Sequence, residues 1–369
     1  MVDGPVRLLI RTPDAALGVE GGVIVSPSGR FDVTLEIPDG TLQPGLINAH
    51  DHLHRNHLGR LGHPPYADAY EWGRDIHHRC AETIVRGRAL PRREALLRGA
   101  WKNLRAGVTT VVHHDTWEAA FDEEFPLRVV RLRSAHSLGF ELELPAAPIG
   151  EPFAIHLAEG VNVAAAEEVR ELDARGLLTP DLLAVHAVGV DARGIQRLRG
   201  VGAAVVWCPS SNRFLFGRTA PAELLAPGID VLLGSDSLLT AEGSLLRELH
   251  VARRLGLLSR ERLRDAVGVT AARRLGVEAP SLDVGARADV VVLRRPLLDA
   301  TESDVAAVVA GGVLRVADPV LLAALGRLGD AGRLETVAGV TRWISAQPPP
   351  SRSERMPSAR PSLSTRSAL

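Results

Sequence analysis

Histidines and acidic residues fall at the ends of several apolar runs in this sequence. His50 and His52 stand in the segment NAHDHLH, directly after the run GLIN. In an extended strand, residues i and i+2 point to the same side, so the two imidazoles would project together. His156 ends the run FAIH, His186 ends LLAVH, and Asp236 ends DVLLGSD. Three imidazoles and a carboxylate suit zinc or a similar divalent metal, so this set predicts a metal site.

Glu159 follows His156 by three residues in the segment HLAE. At that distance the carboxyl group can point into the same cavity without binding the metal, which predicts a proton shuttle. A metal at this site would lower the pKa of its bound water toward neutrality. Asp236 could then bind the metal and also accept a proton from that water.

Each of these residues has a structural alternative, because a single histidine at a strand end is usually a hydrogen-bonded structural residue. His54 and His57 follow the first pair in a loop and are candidates for substrate contact. One of His113 and His114 is expected to line the pocket. Cys208 has no neighbouring cysteine and is a poor nucleophile candidate. The remaining histidines are predicted to be solvated or structural: His63, His77, His78, His136 and His250.

The elements that must position these residues follow from the apolar pattern. From Pro44 onward, apolar runs alternate with helical stretches over about 235 residues, which predicts a TIM-like (β/α)8 barrel over 44–279 or a doubly wound sheet. In a barrel, the carboxyl ends of the strands converge on one face. Short strands at 1–43 and 280–318 predict one composite β domain. Residues 319–345 are predicted to form a helical segment, and the Pro-, Ser- and Arg-rich residues 346–369 a disordered tail.

Composition restricts the partners. The 369 residues carry a formal net charge of -1, so there is no basic excess for nucleic acid. No run approaches the roughly 18 apolar residues that a membrane span needs. Cys80 and Cys208 are the only cysteines, and the N-terminus does not resemble a signal peptide. We therefore expect a cytoplasmic enzyme with a small-molecule substrate and neither nucleic acid nor membrane as partner. Assembly into a homo-oligomer is left open.

Six motifs occur in the order and spacing of the amidohydrolase superfamily: PGLINAHDHLH, AGVTTVVHHD, FAIHLAEG, LLAVHAVGVD, VVWCPSSNRFL and GIDVLLGSDS. The sequence most resembles the branch with cytosine, guanine and S-adenosylhomocysteine deaminases and the triazine hydrolases, over nearly the whole chain except the tail. The segment VTAARRLGVEAPSLDVGARADVVVL resembles this family's return from the barrel to the β domain.

The resemblance implies a role for each matching residue. The metal ligands would be His50, His52, His156 and Asp236. His186 would orient the hydrolytic water or stabilise the developing oxyanion, and Glu159 would pass a proton to a ring nitrogen of the substrate. Ser237 lies where the family varies and is a candidate to face the pocket.

The sequence departs from the family pattern in one region. Only about 40 residues separate the second strand from FAIHLAE, although one βα crossover needs at least roughly 10–12 residues. LRVVRLRSAHS is the single clear strand there, so we expect a distortion around strands 3 and 4 and shortened specificity loops.

The lysine content bears on the number of metals. Two-metal members of the superfamily use a carboxylated lysine at the end of strand four, but Lys102, the only lysine, lies in a helical stretch before the second strand. One metal is therefore favoured, with zinc preferred and iron or manganese as alternatives, unless Glu141 or Glu143 bridges a second ion.

Three functions remain in competition. The first is hydrolytic deamination of a cyclic amidine or nucleobase-like molecule, and Glu159 favours it because a proton must reach ring nitrogen. The second uses the same one-metal site to open a cyclic amide or remove another leaving group. A binding or scaffold protein on a decayed barrel would have lost ligands, and none is lost here. The zinc deaminase class with a CxxC motif is excluded, because no CxxC occurs.

Overall fold

The structure is a computed structural model that describes residues 6–140 and 150–346. The candidate bridging acids Glu141 and Glu143 lie outside these residues, as do residues 347–369 of the predicted tail. The described chain is an α/β protein, with parallel strands in its centre and antiparallel sheets built from both ends of the sequence.

The strands are β1 Leu8–Arg11, β2 Ala16–Glu20, β3 Val23–Val25, β4 Val33–Glu36, β5 Thr41–Pro44, β6 Leu46–Asp51, β7 Val108–His113, β8 Arg128–Val130, β9 Arg133–Ser137, β10 Phe153–Leu157, β11 Leu182–His186, β12 Ala204–Trp207, β13 Asp230–Leu233, β14 Val290–Leu293, β15 Val305–Ala310, β16 Val313–Ala317, β17 Gly332–Val337 and β18 Val340–Ser345. The α-helices are α1 Ala69–Arg79, α2 Ala81–Arg88, α3 Arg92–Leu104, α4 Val163–Ala174, α5 Ala192–Val201, α6 Pro209–Phe216, α7 Ala222–Leu225, α8 Leu245–Leu255, α9 Arg260–Asp265, α10 Val269–Arg274, α11 Leu322–Leu325 and α12 Arg327–Asp330. Short 3-10 helices occupy Leu53–Arg55, Ala119–Phe121, Leu297–Asp299, Glu302–Asp304 and Pro319–Leu321.

The parallel strands form two ladders. One has the order β6-β7-β8, and the other runs β9-β10-β11-β12-β13. Most are buried along their whole length, as in LINAHD of β6, FAIHL of β10 and LLAVH of β11. Strands covered on both faces are apolar without alternation, which is the pattern of these runs. The ends of the two ladders meet where the Asp236 amide donates to the His50 carbonyl oxygen at 3.0 Å.

Residues 128–137 lie in the region where a distortion was expected. Only Arg131 and Leu132 separate β8 from β9. The first part of this extended segment pairs in parallel with β7, and the second part pairs in parallel with β10. Within the described residues, the parallel core therefore contains seven successive extended segments, and residues 128–137 form the single segment between β7 and β10.

Helices follow several of these strands and pack their apolar faces against them. On α3, Leu96, Ala100 and Leu104 recur every four residues and are fully buried in the main core. Asn162 and Asp191 cap α4 and α5, because their side chains accept the amide hydrogens of Ala165 and Gly194. These helices cover the strands and leave the carboxyl ends of the strands as the open edge.

The antiparallel part joins both ends of the described chain. One sheet has the order β3-β2-β1-β4, and a six-stranded sheet has the order β17-β18-β16-β15-β14-β5. Strand β5 pairs antiparallel with β14, although about 250 residues separate them. Side chains from both sheets, among them Leu35 and Leu314, share one apolar core.

The predicted helical segment over 319–345 is wrong for residues 332–345. Helix is confined to 319–330, and β17 and β18 then form an antiparallel hairpin that extends the six-stranded sheet. Its two-residue turn, Ala338 and Gly339, has positive φ at both positions (50° and 79°), which matches the twist of a β-hairpin. Trp343 and Ile344 are buried against the sheet, so tertiary packing determines the strand.

No helix within residues 6–140 and 150–346 combines the length and the apolar character that a membrane crossing requires.

Candidate functional site

The carboxyl ends of β6, β10, β11 and β13 bring the predicted site residues together. We call this region the carboxyl edge. His50 lies in β6 and His52 directly follows it; His156 is the fourth residue of β10 and His186 the last of β11. Asp236 comes three residues after β13. All five are at most 6% exposed.

The side-chain donors converge at distances that fit one metal ion. His156 Nε2 lies 3.4 Å from His50 Nε2, and Asp236 Oδ1 lies 3.8 Å from His50 Nε2 and 3.9 Å from His52 Nε2. Ligands of a tetrahedral zinc ion, with bonds of about 2.1 Å, stand about 3.4 Å apart. His50, His52 and Asp236 form one group of donors within 4.8 Å of one another, and His50, His156 and His186 form a second. The donor set therefore fits a zinc-like ion.

The other ring nitrogens are held by oxygen acceptors. His52 Nδ1 lies 2.9 Å from Asp115 Oδ2, His156 Nδ1 lies 2.6 Å from the His136 carbonyl oxygen, and His186 Nδ1 lies 2.8 Å from Asn212 Oδ1. An Nδ1–H that donates to such an acceptor leaves Nε2 with its lone pair. These contacts therefore orient the Nε2 atoms of the three rings toward the centre of the cluster, as ligand histidines require.

The environment of His50, His52 and His156 favours the neutral form of their imidazoles. Burial, reinforced by the neighbouring imidazoles, lowers the pKa of His50 and of His156 well below the usual value. Burial together with Arg55 lowers the pKa of His52 in the same direction. His50 Nδ1 is buried without a hydrogen-bond partner in the part of the chain that the structure describes. Neutral imidazole is the form that binds a metal, so this environment favours a ligand role.

Asp236 is fixed by several donors. Its Oδ2 accepts from Ser211 Oγ at 2.7 Å and from Thr240 Oγ1 at 2.8 Å, and its Oδ1 accepts from the Ser237 amide at 2.7 Å. Its φ of 52° is unusual for a residue other than glycine. Of five such positive-φ residues in the described chain, four lie at strand ends of this site: Ala158, His186, Ala187 and Asp236. Strained backbone of this kind clusters where side chains must be aimed.

Glu159 lies beside His186 at the edge of the donor cluster. Its Oε1 is 3.6 Å from His186 Nε2, and 14% of its side chain is exposed. Burial raises the pKa of Glu159 to about 7, against an opposing effect of His186 and with a further rise from Asp236. The preceding Ala158 amide donates to Glu168 Oε2 at 2.6 Å, which fixes the turn that aims Glu159. A carboxyl group with a pKa near neutrality can both donate and accept a proton.

A cavity of about 900 Å³ opens onto this cluster. His54, His57 and Ser237 line it, in agreement with their candidacy for substrate contact. His77 and His136, which were expected to be solvated or structural, also line it. His113 and His114 are both buried and are absent from its wall, although the His114 ring lies 4.2 Å from that of His156.

Cys208 is buried, and burial raises the pKa of its thiol well above the usual value, which disfavours a nucleophilic thiolate.

A second group of possible ligands lies next to the first and consists of His54, His113 and Asp115. Asp115 Oδ2 is 3.6 Å from His54 Nδ1, 2.9 Å from His52 Nδ1 and 3.5 Å from the Arg55 guanidinium. The arginine already supplies positive charge at this carboxylate, which disfavours a second cation. Asp115 acts here as a partner that orients His52.

The sequence did not predict the residues that hydrogen-bond to the site side chains or to the backbone beside them, including Asp115, Asn212, Ser211 and Glu168. Two features of the sequence could have indicated them. Asp115 directly follows the run VTTVVHH, and Asn212 lies in the motif VVWCPSSNRFL. Glu168 carries no such signal, because it lies in the middle of α4 among other acidic residues.

Known proteins that resemble this chain share its fold and part of its sequence. No family model matches the chain. It is 32% identical over 136 residues to a 5'-deoxyadenosine deaminase from Methanosarcina mazei, which covers 34% of this chain and 31% of that protein. It is 31% identical over 130 residues to an S-triazine hydrolase from Gordonia rubripertincta, covering 32% and 27%. A zinc-bound adenosine deaminase from Xanthomonas campestris superposes with a TM-score of 0.65 at 18% identity, over 89% of this chain and 98% of that one.

The structural match shows that this chain shares the fold of that adenosine deaminase. The matches confirm the resemblance to the deaminase and triazine hydrolase branch of the amidohydrolase superfamily. The sequence alignments span about a third of the length of the curated relatives.

Proposed function

We propose that this chain is a one-metal hydrolase of non-peptide C–N bonds that deaminates a cyclic amidine or nucleobase-like small molecule and releases ammonia. The observation that carries the proposal is the position of Glu159, 3.6 Å from His186, in the cavity that also contains the donor cluster. Amidine chemistry requires a proton at a ring nitrogen, and Glu159 provides a protonatable carboxyl group beside His186.

The ligands in this proposal are His50, His52, His156 and Asp236. Zinc is preferred, with iron or manganese as alternatives, because three imidazoles and one carboxylate form a borderline donor set. When bound, such an ion supplies Lewis-acid activation of water at neutral pH. The absence of a lysine near the end of β9 supports one ion per chain.

The roles of the other residues follow from their contacts. His186 donates through Nδ1 to Asn212, so its Nε2 is an acceptor that can orient the attacking water. Glu159 in its protonated form donates to the ring nitrogen of the substrate. Water then adds to the ring carbon and gives one proton to Asp236, which passes that proton to the amino nitrogen. The bond from the ring carbon to the amino nitrogen breaks and ammonia leaves. The hydroxyl group left on the ring carbon returns its proton to Glu159 as it becomes the ring carbonyl.

The second candidate is removal of another leaving group, or opening of a cyclic amide, at the same site. The 31% identity to an S-triazine hydrolase supports this second candidate function. Both candidates are tested by incubating the zinc-loaded chain with a panel of purines, adenosine-type nucleosides, pyrimidines and substituted triazines. Ammonia release from an aminated ring supports deamination. Release of another leaving group without ammonia supports the alternative, and no turnover on the panel contradicts the first proposal.

The metal content is tested separately. Elemental analysis of purified protein should find close to one zinc, iron or manganese per chain, and His52→Ala should lose most of it. Two tightly held ions per chain would contradict the one-metal site.

We also propose an architecture and a location for the enzyme. The contact between the Asp236 amide and His50 supports closure of the two ladders into a distorted barrel over 44–279. The β5–β14 pairing supports a composite β domain of 1–43 and 280–318, whose six-stranded sheet the β17–β18 hairpin extends. Cys80 and Cys208 are both free, which supports the reducing cytoplasm.

A further inference from the structure

Lys102 lies next to the donor cluster and lines a second cavity, not the cavity proposed for the substrate. It belongs to α3, and its side chain is 10% exposed, toward this second cavity of about 1180 Å³. The ammonium group lies 3.0 Å from Asp51 Oδ2, 2.8 Å from the Asp236 carbonyl oxygen and 3.1 Å from Ser235 Oγ. All three partners are neighbours of, or belong to, the proposed metal ligands.

Asp51 stands between His50 and His52 and is fully buried. Its carboxylate also accepts from Asn56 Nδ2 at 2.9 Å and from Asn103 Nδ2 at 2.7 Å. A buried carboxylate is costly unless a cation and hydrogen bonds compensate it, and Lys102 is the cation here. The pair Asp51 and Lys102 therefore adds no net charge beside the site.

Asp236 is held at both of its main-chain polar groups. Its amide donates to the His50 carbonyl oxygen at 3.0 Å, and its carbonyl accepts from Lys102 at 2.8 Å. A residue with a φ of 52° keeps that conformation only if its surroundings hold it there. Lys102 thus links the segment after β13 to β6, the two segments that supply three of the four proposed ligands.

We propose that Lys102 is a positioning residue for the metal centre: it fixes the Asp236 main chain and neutralises Asp51, so that the carboxylate of Asp236 meets His50 and His52 at one point. This inference rests on the proposed one-metal site. A cation alone would repel a metal ion, so the benefit comes from geometry and from the charge balance with Asp51.

The test is zinc affinity, measured by competition with a chelator of known affinity, in Asp51→Asn/Lys102→Met. This double variant preserves the net charge of the wild-type pair but removes the contact with Asp236. We expect zinc binding to weaken about 10–100-fold, as for other partners that orient ligands. Lys102→Arg, which keeps the charge and donors, should recover part of the affinity. Arg98→Met, which removes an exposed cation from the same helix, should bind zinc like wild type.

The outcomes separate the two proposals. Wild-type affinity in a folded double variant overturns the role of Lys102 and leaves the metal site intact. Failure of the wild-type chain to bind any of zinc, iron and manganese overturns both.

A measurement on the unsubstituted protein covers the case in which the variants fail to fold. Because Lys102 is the only lysine, labelling lysine with ¹⁵N at Nζ or ¹³C at Cε gives one side-chain signal. Zinc binding should move that signal, since the ammonium contacts the backbone of a ligand residue. A signal that stays in place while zinc binds would overturn the inference.

Discussion

The carboxyl edge and the six-stranded sheet place opposite kinds of side chain in the protein interior. At the edge, histidines and carboxylates lie within a few ångströms of one another and are almost completely buried. In the sheet, the central strands β14 and β15 read VVVL and VAAVVA and bury every residue. Burying a polar group costs free energy unless it is paired, whereas burying an apolar group releases free energy.

The difference teaches how the two regions contribute to the protein. The edge is maintained by specific partners such as Asp115 for His52 and Asn212 for His186, and four of its residues adopt positive φ. The sheet is maintained by packing that many apolar side chains share. Substitutions at the edge should therefore change chemistry more than stability, and substitutions in the sheet should do the reverse.

The largest effect is expected for Glu159→Gln. The amide keeps the shape of the side chain but cannot transfer the proton, so turnover should fall about 10²–10⁴-fold while the metal content persists. Steady-state kinetics and elemental analysis measure the two quantities. Glu82→Gln, at an exposed position of α2, is the matched control and should retain turnover. Release of the metal from Glu159→Gln would make Glu159 a ligand and contradict its proposed role.

Leu314→Ala tests the contribution of the six-stranded sheet. Leu314 is 3% exposed in the core of the antiparallel sheets, so its truncation should lower the free energy of unfolding by about 2–5 kcal/mol. The turnover of the folded fraction should stay unchanged.

Leu334→Ala, in the same sheet but 54% exposed, is the matched control and should alter stability by less than about 0.5 kcal/mol. Chemical denaturation measures both variants. A loss of turnover in folded Leu314→Ala would mean that the sheet and the edge are coupled.

Glu248 makes the stability of the protein depend on pH. It is fully buried on α8 and accepts from the Ser210 amide at 2.9 Å, and burial raises its pKa to about 8. The folded state therefore binds this proton more tightly than the unfolded state. The contribution to stability is fully present below about pH 4.5 and is lost as pH rises through about 8.

Denaturation of metal-free protein at several pH values tests this contribution. The decline in stability between pH 5 and pH 8.5 should be shallower in Glu248→Gln than in wild type, because the amide does not ionise. Glu82→Gln should follow the wild-type curve. Identical slopes in wild type and Glu248→Gln would show that this carboxyl group does not control the pH dependence.

The smallest effect is expected from removal of residues 347–369. This segment is rich in Pro, Ser and Arg and has few large apolar side chains, so neither region should depend on it. Turnover and thermal midpoint should stay nearly unchanged. A large drop in either would mean that the segment docks on the folded protein.

The positions of the chemical residues could be predicted from the sequence because they depend on local pattern. An apolar run predicts a buried strand, and the polar residue that ends the run lies at the strand's carboxyl end. His50, His52, His156, His186 and Asp236 all follow this pattern, and the structure brings all five together. The spacing of three between His156 and Glu159 is equally local.

The rest depends on contacts between distant parts of the chain, which leave no local pattern. Lys102 hydrogen-bonds to Asp236, which is 134 positions away in the sequence, and Asp115 contacts His52, which is 63 positions away. The strand over 340–345 is stabilised by pairing with β16 and by burial of Trp343. These tertiary contacts decide the strand, although its apolar residues had suggested a helix. The two pairings of residues 128–137 likewise depend on distant contacts, because this extended segment pairs with β7 on one side and with β10 on the other. The sequence by itself determined which residues stand at strand ends, whereas only the tertiary structure decided which partners aim them.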